Sequence, residues 1–340
     1  MVAAPPPFPR ESPPGYEMLR GEPAFDPARH LALEPPARTW RLAEFGYGDD
    51  DIRKCASQVA VAGPFRLLSE EGVAIARAAA VELKKWRFFG DRTASYLPGG
   101  VYRSRFLRDL CNCPLVAEFM SEIAGCELLP HTMPSQQLYI NYNPDDVSKA
   151  VDTWHVDSIG LDYVLLLNDP STFSGGRFQF FHGTKYDAAR LLGTEIGNLT
   201  SPTAKDLPAD RVISPEFPAA GYAMFQQGSM VMHRATRLSH RAERITFVTG
   251  FVARDVQFPD PTLNRVADWG EPGIIAEFAR HKAWLSREKL DGFIEQVASG
   301  ATPSEITSRL RECLADTLAA IETLQGASRQ TETDAQGKLA

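Results

Sequence analysis

The sequence predicts an α+β protein, mainly β, whose core is an antiparallel sandwich or jelly roll flanked by helices. Two observations carry this. Six short β-branched or aromatic runs crowd the stretch between residues 136 and 252, separated by turn and breaker signals. Helical periodicity stands on both sides of that stretch and not between most of its strands, which disfavours a doubly wound parallel sheet.

The elements follow in chain order. The first 40 residues hold ten of the 25 prolines, including Pro5-Pro6-Pro7 and Pro35-Pro36, and read as an extended arm with no assigned function. A helical support region is expected over 41–135. Within it, Leu68 to Trp86 has Ser69 as N-cap and apolar residues at helical spacing, and Pro114 to Ala124 gathers Leu115, Val116, Phe119 and Met120 on one side. The β core is expected over 136–258, with strands at Gln136–Tyr142, Asp162–Asn168, Arg177–Phe181, Tyr222–Phe225, Ser229–His233 and Ile245–Val252. Asn143-Pro144, Asp169-Pro170, Gly175-Gly176 and Gly228-Ser229 break them. A helix over Lys185 to Leu192 lies in the 39 residues from His182 to Ala220, an insertion that suits a lid or an elaborate surface loop equally. C-terminal helices are expected over 259–325: one from Gly273 to Val297, and one opened by Thr302-Pro303-Ser304-Glu305, a capping box with proline at the first helical position. Residues 326–340 are polar and read as a flexible tail.

Composition narrows the function classes. Of 340 residues, 44% are hydrophobic and 23% charged, which excludes a mainly disordered chain. The net charge of −7 and the lack of a basic stripe argue against nucleic-acid partners. No apolar run reaches the roughly 20 residues of a membrane span, and MVAAPPPFPR lacks a signal-peptide pattern, so no membrane partner and a cytoplasmic location are expected. Five cysteines without a C-x-x-C pair read as reduced structural thiols, and Cys111-Asn112-Cys113 has no second pair to make a zinc site.

The chemistry concentrates in the β region. In TWHVDS, His155 and Asp157 stand two apart, so an extended chain aims both at one face. Alone this is weak, because composition predicts roughly one such coincidence. It sharpens downstream, where His233 follows a Gly-Ser turn and Arg244 comes eleven residues later, followed by Thr246 on the same face. A hairpin joining them would bring His233 to His155 and Asp157, with a guanidinium nearby. Two imidazoles and one carboxylate on one side of a metal leave other positions open, as non-haem Fe(II) and oxygen activation require. Arg244 could grip the far carboxylate of a dicarboxylate whose other end chelates the metal.

The set His155-x-Asp157, His233 and Arg244-x-Thr246, with LLLND and SGGRFQFF between, resembles the iron(II)/2-oxoglutarate-dependent dioxygenases, within them the prolyl-hydroxylase-like branch. The resemblance spans about Gln136 to Asp255. It implies a double-stranded β-helix core, a cupin-like jelly roll, and His155, Asp157 and His233 as iron ligands and catalytic centre. Arg244 and Thr246 would bind the far carboxylate of 2-oxoglutarate, and Tyr142, in INYNP, would donate to it. Since Tyr139 and Tyr142 differ by an odd number, a regular strand turns only one of them inward, and Tyr142 matches the family position. The cofactor is then Fe(II), with 2-oxoglutarate and O2 as co-substrates.

Blander readings hold elsewhere. His240 sits in the turn-like SHRAER, four residues from Arg244, and is a poorer third ligand than His233. His30, His131, His182 and His281 read as surface or satisfied core residues, and Arg103 and Arg105 as a solvated face. Gly175-Gly176 lacks a phosphate-loop context. The implied activity is oxidation, most simply hydroxylation, of an unactivated C–H bond in a small molecule such as an amino acid or natural-product intermediate, with release of succinate and CO2. The alternatives are an iron oxygenase that needs no 2-oxoglutarate, a peptide or protein side-chain hydroxylase, and a non-catalytic jelly roll that binds a small acid. A JmjC-type demethylase would typically use lysine where this chain has Arg244. The oligomeric state is left open.

Overall fold

The computed structural model describes residues 6–262, 271 and 273–337, with side chains through 326. Two compact units form, one over residues 16–262 and one over residues 6–15 with 271 and 273–337.

The larger unit is built on two antiparallel sheets. In chain order its strands are β1 (Arg38–Arg41), β2 (Val59–Arg66), β3 (Tyr96–Pro98), β4 (Leu128–Pro130), β5 (Tyr139–Tyr142), β6 (Ala150–His155), β7 (Leu161–Leu166), β8 (Phe178–Phe181), β9 (Val212–Ile213), β10 (Tyr222–Gln226), β11 (His233–Arg237) and β12 (Ile245–Ala253). The eight-stranded sheet runs β1-β2-β10-β7-β12-β5-β3, with β4 on β12; the four-stranded sheet runs β6-β11-β8-β9. From β5 to β8, and again from β10 to β12, the chain passes from one sheet to the other with every strand. The sheets meet over an apolar cluster: Trp40, Val61, Val164 and Met224 come from the larger, Phe178 and Phe180 from the smaller. Phe180 is fully buried, with Trp40 edge-on at 5.3 Å and Phe45 stacked at 5.8 Å between ring centroids.

Several expectations change. The segment read as helical support, 41–135, also contributes β2, β3 and β4. β2, VAVAGPFR, is buried along most of its length and shows neither alternation nor many β-branched residues, so its period is silent. The proline-rich arm belongs with the larger unit from Tyr16 onward and holds a turn of helix, Pro27–His30, capped by Asp26, besides the start of β1. Gln136 falls in a one-turn helix, Pro134–Gln137, so β5 starts at Tyr139. His233 begins a strand instead of ending one: Met230 and Val231 donate their N–H groups to Gln227 O in a turn. Strands β11 and β12 lie in different sheets, so no hairpin joins His233 to Arg244.

The predicted helices form. Ser69 Oγ accepts from Gly72 N at 3.0 Å at the head of the helix Glu70–Leu83, and the helices Pro114–Ala124 and Lys185–Leu192 have the expected bounds. In the smaller unit, Ile274–Gln296 packs on Pro303–Gly337 through Lys289–Asp316 (2.6 Å) and Thr317–Ser286 (2.8 Å). Thr302 and Glu305 close the capping box, and helical backbone continues past Gly326, where a flexible tail was expected. No helix among the described residues is long and apolar enough to cross a membrane.

Replacing Phe180 with alanine should cost about 3–5 kcal/mol in urea unfolding, through lost burial and the cavity left behind. Phe89→Ala, at a side chain 62% exposed, should stay within about 0.5 kcal/mol.

Candidate metal centre

Strand pairing brings the two histidines together. His155, last residue of β6, stands directly opposite His233, first residue of β11, and their ring centroids are 4.2 Å apart. The ladder shifts register just beyond, so that Ala235 faces Asp152 and the extra residue of a bulge sits in β6. Asp157 lies two residues past β6, but Val156 N donates to Leu199 O and Asp157 N to Gly228 O, which keep the chain extended. The i, i+2 geometry is thereby preserved. Asp157 Oδ1 is 3.4 Å from His155 Nε2, and Oδ2 is 3.2 Å from His233 Nε2. Among the described residues, these three form the one cluster whose ligand atoms all lie within 4.8 Å of one another.

Backbone carbonyls set the tautomers. His155 Nδ1 donates to Thr153 O at 2.6 Å and His233 Nδ1 to Val231 O at 2.9 Å, since a carbonyl can only accept. Both Nε2 lone pairs therefore point at the Asp157 carboxylate. Acceptors facing one another at this range are reconciled by a proton or a metal ion between them, and two imidazole nitrogens with one carboxylate oxygen are a fitting donor set for a divalent first-row metal. Burial opposes the charged form of all three groups. For Asp157, both imidazoles outweigh it and hold the carboxyl well below the ordinary carboxylate range. Burial, then the charge of Arg92, pushes His155 down, whereas Asp157 outweighs burial at His233 and raises it.

Residues that sequence reasoning missed stand behind the cluster. Gln226 Nε2 donates to Asp157 Oδ2 (3.1 Å) and Asp162 Oδ1 (2.9 Å) and lies 3.1 Å from His233 Nε2. Burial and the Asp157 charge raise Asp162 well above the carboxylate range. Gly228 must be glycine, because a Cβ there would run into the Oδ2 atoms of Asp157 and Asp162. None of these carries a motif; only the pairing of Gln226 with Asp162 across β10 and β7 exposes them.

Arg244 immediately precedes β12 and is 2% exposed. Its Nε donates to Gly176 O at 2.6 Å and its Nη1 to Thr246 Oγ1 at 3.3 Å. No carboxylate among the described residues pairs with it, and burial pushes it down to about 10 against the pull of Asp152. The guanidinium lines a cavity of about 330 Å³ walled by Leu166, Phe173, Phe178 and Phe217. Phe178 also lies 5.9 Å from the His233 ring, so cavity and histidine share a wall. Gly176, at φ +60°, leaves room for this seat; a Cβ would stand 2.7 Å from Arg244 Cδ.

Tyr142 is not part of this arrangement. It pairs with Ile245, whereas Asn141 pairs with Thr246 and Tyr139 with Val248. Val248 packs on the cluster between the sheets, so Tyr139 and Asn141 take the interior face and Tyr142 the other, where its hydroxyl donates to Ala80 O at 2.8 Å. Of the two tyrosines of this strand, it is Tyr139 and not the expected Tyr142 that shares the interior face. Asn141 Oδ1 is buried on the interior face without a hydrogen bond.

His240 is exposed in a bend, and His131 is satisfied by Thr262 and Met133 N. Arg103 corrects its reading too: it is buried between the rings of Tyr16 and Trp86, at 4.2 and 4.4 Å, and not on a solvated face. Part of the 182–220 insertion is firmly packed. Ala188, Ala189, Leu192, Leu199 and Leu207 bury against Trp154, Phe181 and Met232. Its Asp206 accepts from Trp154 Nε1 (2.6 Å) and Arg234 Nη1 (2.9 Å).

No protein-family model and no curated protein matches this chain. Among solved structures, the non-heme alpha-ketoglutarate-dependent epimerase SnoN of nogalamycin biosynthesis aligns at 18% identity over 55% of this chain and 75% of that one, with a TM-score of 0.41. The carbocyclase SnoK of the same biosynthesis aligns at 18% identity over 60% and 83%, TM-score 0.40. The non-heme monooxygenase ThoJ aligns at 11% over 71% and 98%, TM-score 0.41. These are distant likenesses, and what the centre can hold is read from its own residues.

Gly228→Ala should lower affinity for Co(II), a spectroscopic probe of such a donor set, by about tenfold or more while far-UV circular dichroism stays unchanged. Unchanged Co(II) affinity by calorimetric titration would dissociate Gly228 from the centre.

Proposed function

We propose that this chain is an Fe(II)- and 2-oxoglutarate-dependent oxygenase that oxidises, most simply hydroxylates, an unactivated C–H bond of a small molecule. The observation that carries this is one juxtaposition: a buried His155–Asp157–His233 set with both Nε2 lone pairs turned inward, and a buried guanidinium without a carboxylate partner facing a cavity that shares the Phe178 wall with His233. The passage of the chain between sheets from β5 to β12 supports reading the core as a double-stranded β-helix. With Tyr142 turned away, the prolyl-hydroxylase-like reading rests on His155-x-Asp157, His233 and Arg244-x-Thr246.

Bound iron would supply dioxygen activation, its electrons drawn from oxidative decarboxylation of 2-oxoglutarate to succinate and CO2. The protein's part follows from its residues. His155, Asp157 and His233 would hold the ion from one side and leave the rest of its coordination sphere to small ligands. Arg244, steadied by Gly176 O and Thr246, would grip the far carboxylate of 2-oxoglutarate through two parallel hydrogen bonds. The aromatic side of the cavity would shield that ion pair from part of the surrounding water, which strengthens it, while Ser174, Arg177 and Glu216 line the polar side. A cavity of about 330 Å³ and an acidic chain suit a small organic acid and a small substrate over a nucleic acid. Five free thiols suit a reducing compartment, hence a cytoplasmic location.

Anaerobic addition of Fe(II) and 2-oxoglutarate should produce a metal-to-ligand charge-transfer band, and a substrate panel should be scored by succinate release. Neither signal with intact protein would refute the assignment. His155→Ala and Asp157→Ala should abolish iron binding and turnover. Arg244→Ala should raise the 2-oxoglutarate requirement roughly 10–100-fold, as expected when charge-assisted hydrogen bonds are lost; an unchanged requirement removes Arg244 from its role.

A further inference from the structure

A second carboxylate lies inside the barrel, close to the first ligand. Asp152, 5% exposed, stands three residues before His155, a spacing that would put the two on opposite faces of a regular strand. The bulge between them returns Asp152 to the face of His155, with Ala235 opposite one and His233 opposite the other. Its Oδ2 accepts from Thr93 Oγ1 at 2.9 Å. Its Oδ1 is buried without a hydrogen bond, 3.5 Å from His155 Nδ1 and 3.8 Å from Arg92 Nε.

Arg92 and Thr93 belong to a strap. Thr153 N donates to Arg92 O, Thr93 bridges Asp152, and Ala94 N donates to Val151 O, so the segment runs beside β6. It then leaves the small sheet and enters the large one as β3, with Tyr96 opposite Asn141.

We infer that Asp152 is a positioning residue for His155: an outer carboxylate that orients the imidazole, enriches its Nε2 as a metal donor and ties it to the Arg92–Tyr96 strap. This rests on the metal reading above. Burying a carboxylate is costly unless its neighbours compensate, and here Thr93, Arg92 and the Nδ1–H side of His155 do so. Coordination draws electron density from the imidazole and leaves Nδ1–H more positive. Asp152 is then attracted more strongly to the metal-loaded ring than to the free one, and that difference is affinity for the ion. Each Nδ1–H donates to a backbone carbonyl, Thr153 O for His155 and Val231 O for His233, and on the His155 side the Asp152 carboxylate adds its charge 3.5 Å from Nδ1. The two histidines are therefore unequal, and His155 is the one with a charged outer partner.

The test uses the full chain. Asp152→Asn keeps the shape and removes the charge, and should weaken Co(II) binding about 10–100-fold in anaerobic titration followed by ligand-field absorption. In metal-free protein labelled with ¹⁵N-histidine, the same substitution should move the ring resonances of His155 clearly more than those of His233. Thr93→Val, which frees Oδ2, should act in the same direction with smaller amplitude, and serves if Asp152→Asn does not fold. Wild-type Co(II) affinity in Asp152→Asn, or equal shifts at both histidines, would overturn the role of Asp152 while leaving the metal centre standing. Failure of the wild type itself to bind Co(II) would overturn both.

Discussion

The centre depends on one ladder register, His155 against His233. Side chains alternate along a strand, so a slip of one residue between β6 and β11 would turn one imidazole outward and leave Asp157 beside a lone partner. The register is held from several sides. The bulge fixes where the strands fall out of step, Gly228 O and Leu199 O hold the chain past β6 extended, and Gln226 with Asp162 backs the carboxylate from the larger sheet. Apolar contacts then do the bulk work. Phe178 and Phe180 close the small sheet onto Trp40, Val61, Val164 and Met224 and remove water from around the polar groups.

A second constraint is electrostatic. The interior holds Asp152, Asp157, Asp162 and Arg244, each buried or nearly so, in a medium where an uncompensated charge is costly. Each carboxyl group has company: Asp157 has two imidazoles, Asp152 has Thr93 and Arg92, and Asp162 has Gln226, while burial and the Asp157 charge disfavour its ionised form. Among the described residues, Arg244 has only a carbonyl and a hydroxyl. On the proposed function, the imbalance marks the place that an acid from outside would take, and retention of that acid would depend on the apolar side of the cavity.

How much of this was legible in the sequence follows the reach of each signal. Helix ends were local and readable, because Ser69 and the Thr302–Glu305 box cap within a turn. His155 and Asp157 were readable from period two, even though the strand stops between them. Strand β2 was not, since a segment buried on both faces loses the alternation that betrays a strand. The strand at His233 was displaced because Met230, Val231 and Met232 are apolar to fill two clusters and not to pair in a ladder. Tyr142 was chosen by family position, while parity with Arg244 and Thr246 is set by the β5–β12 register, which no local pattern encodes. Asp152, Gln226 and Asp162 meet the centre only through a bulge and cross-strand pairing, and Arg103 gave no hint of its aromatic sandwich.

Asp206 has a reach its place on the surface conceals. Trp154 precedes His155 and Arg234 follows His233, and both outward-pointing neighbours are fastened to this one side chain, itself 62% exposed. The spacing of the two nitrogens that would coordinate the proposed metal is thus gauged from behind, by a clasp bathed in solvent. Under that proposal, ionic strength or a residue exchange on the rind of the molecule would reach its heart without touching anything that lines the pocket.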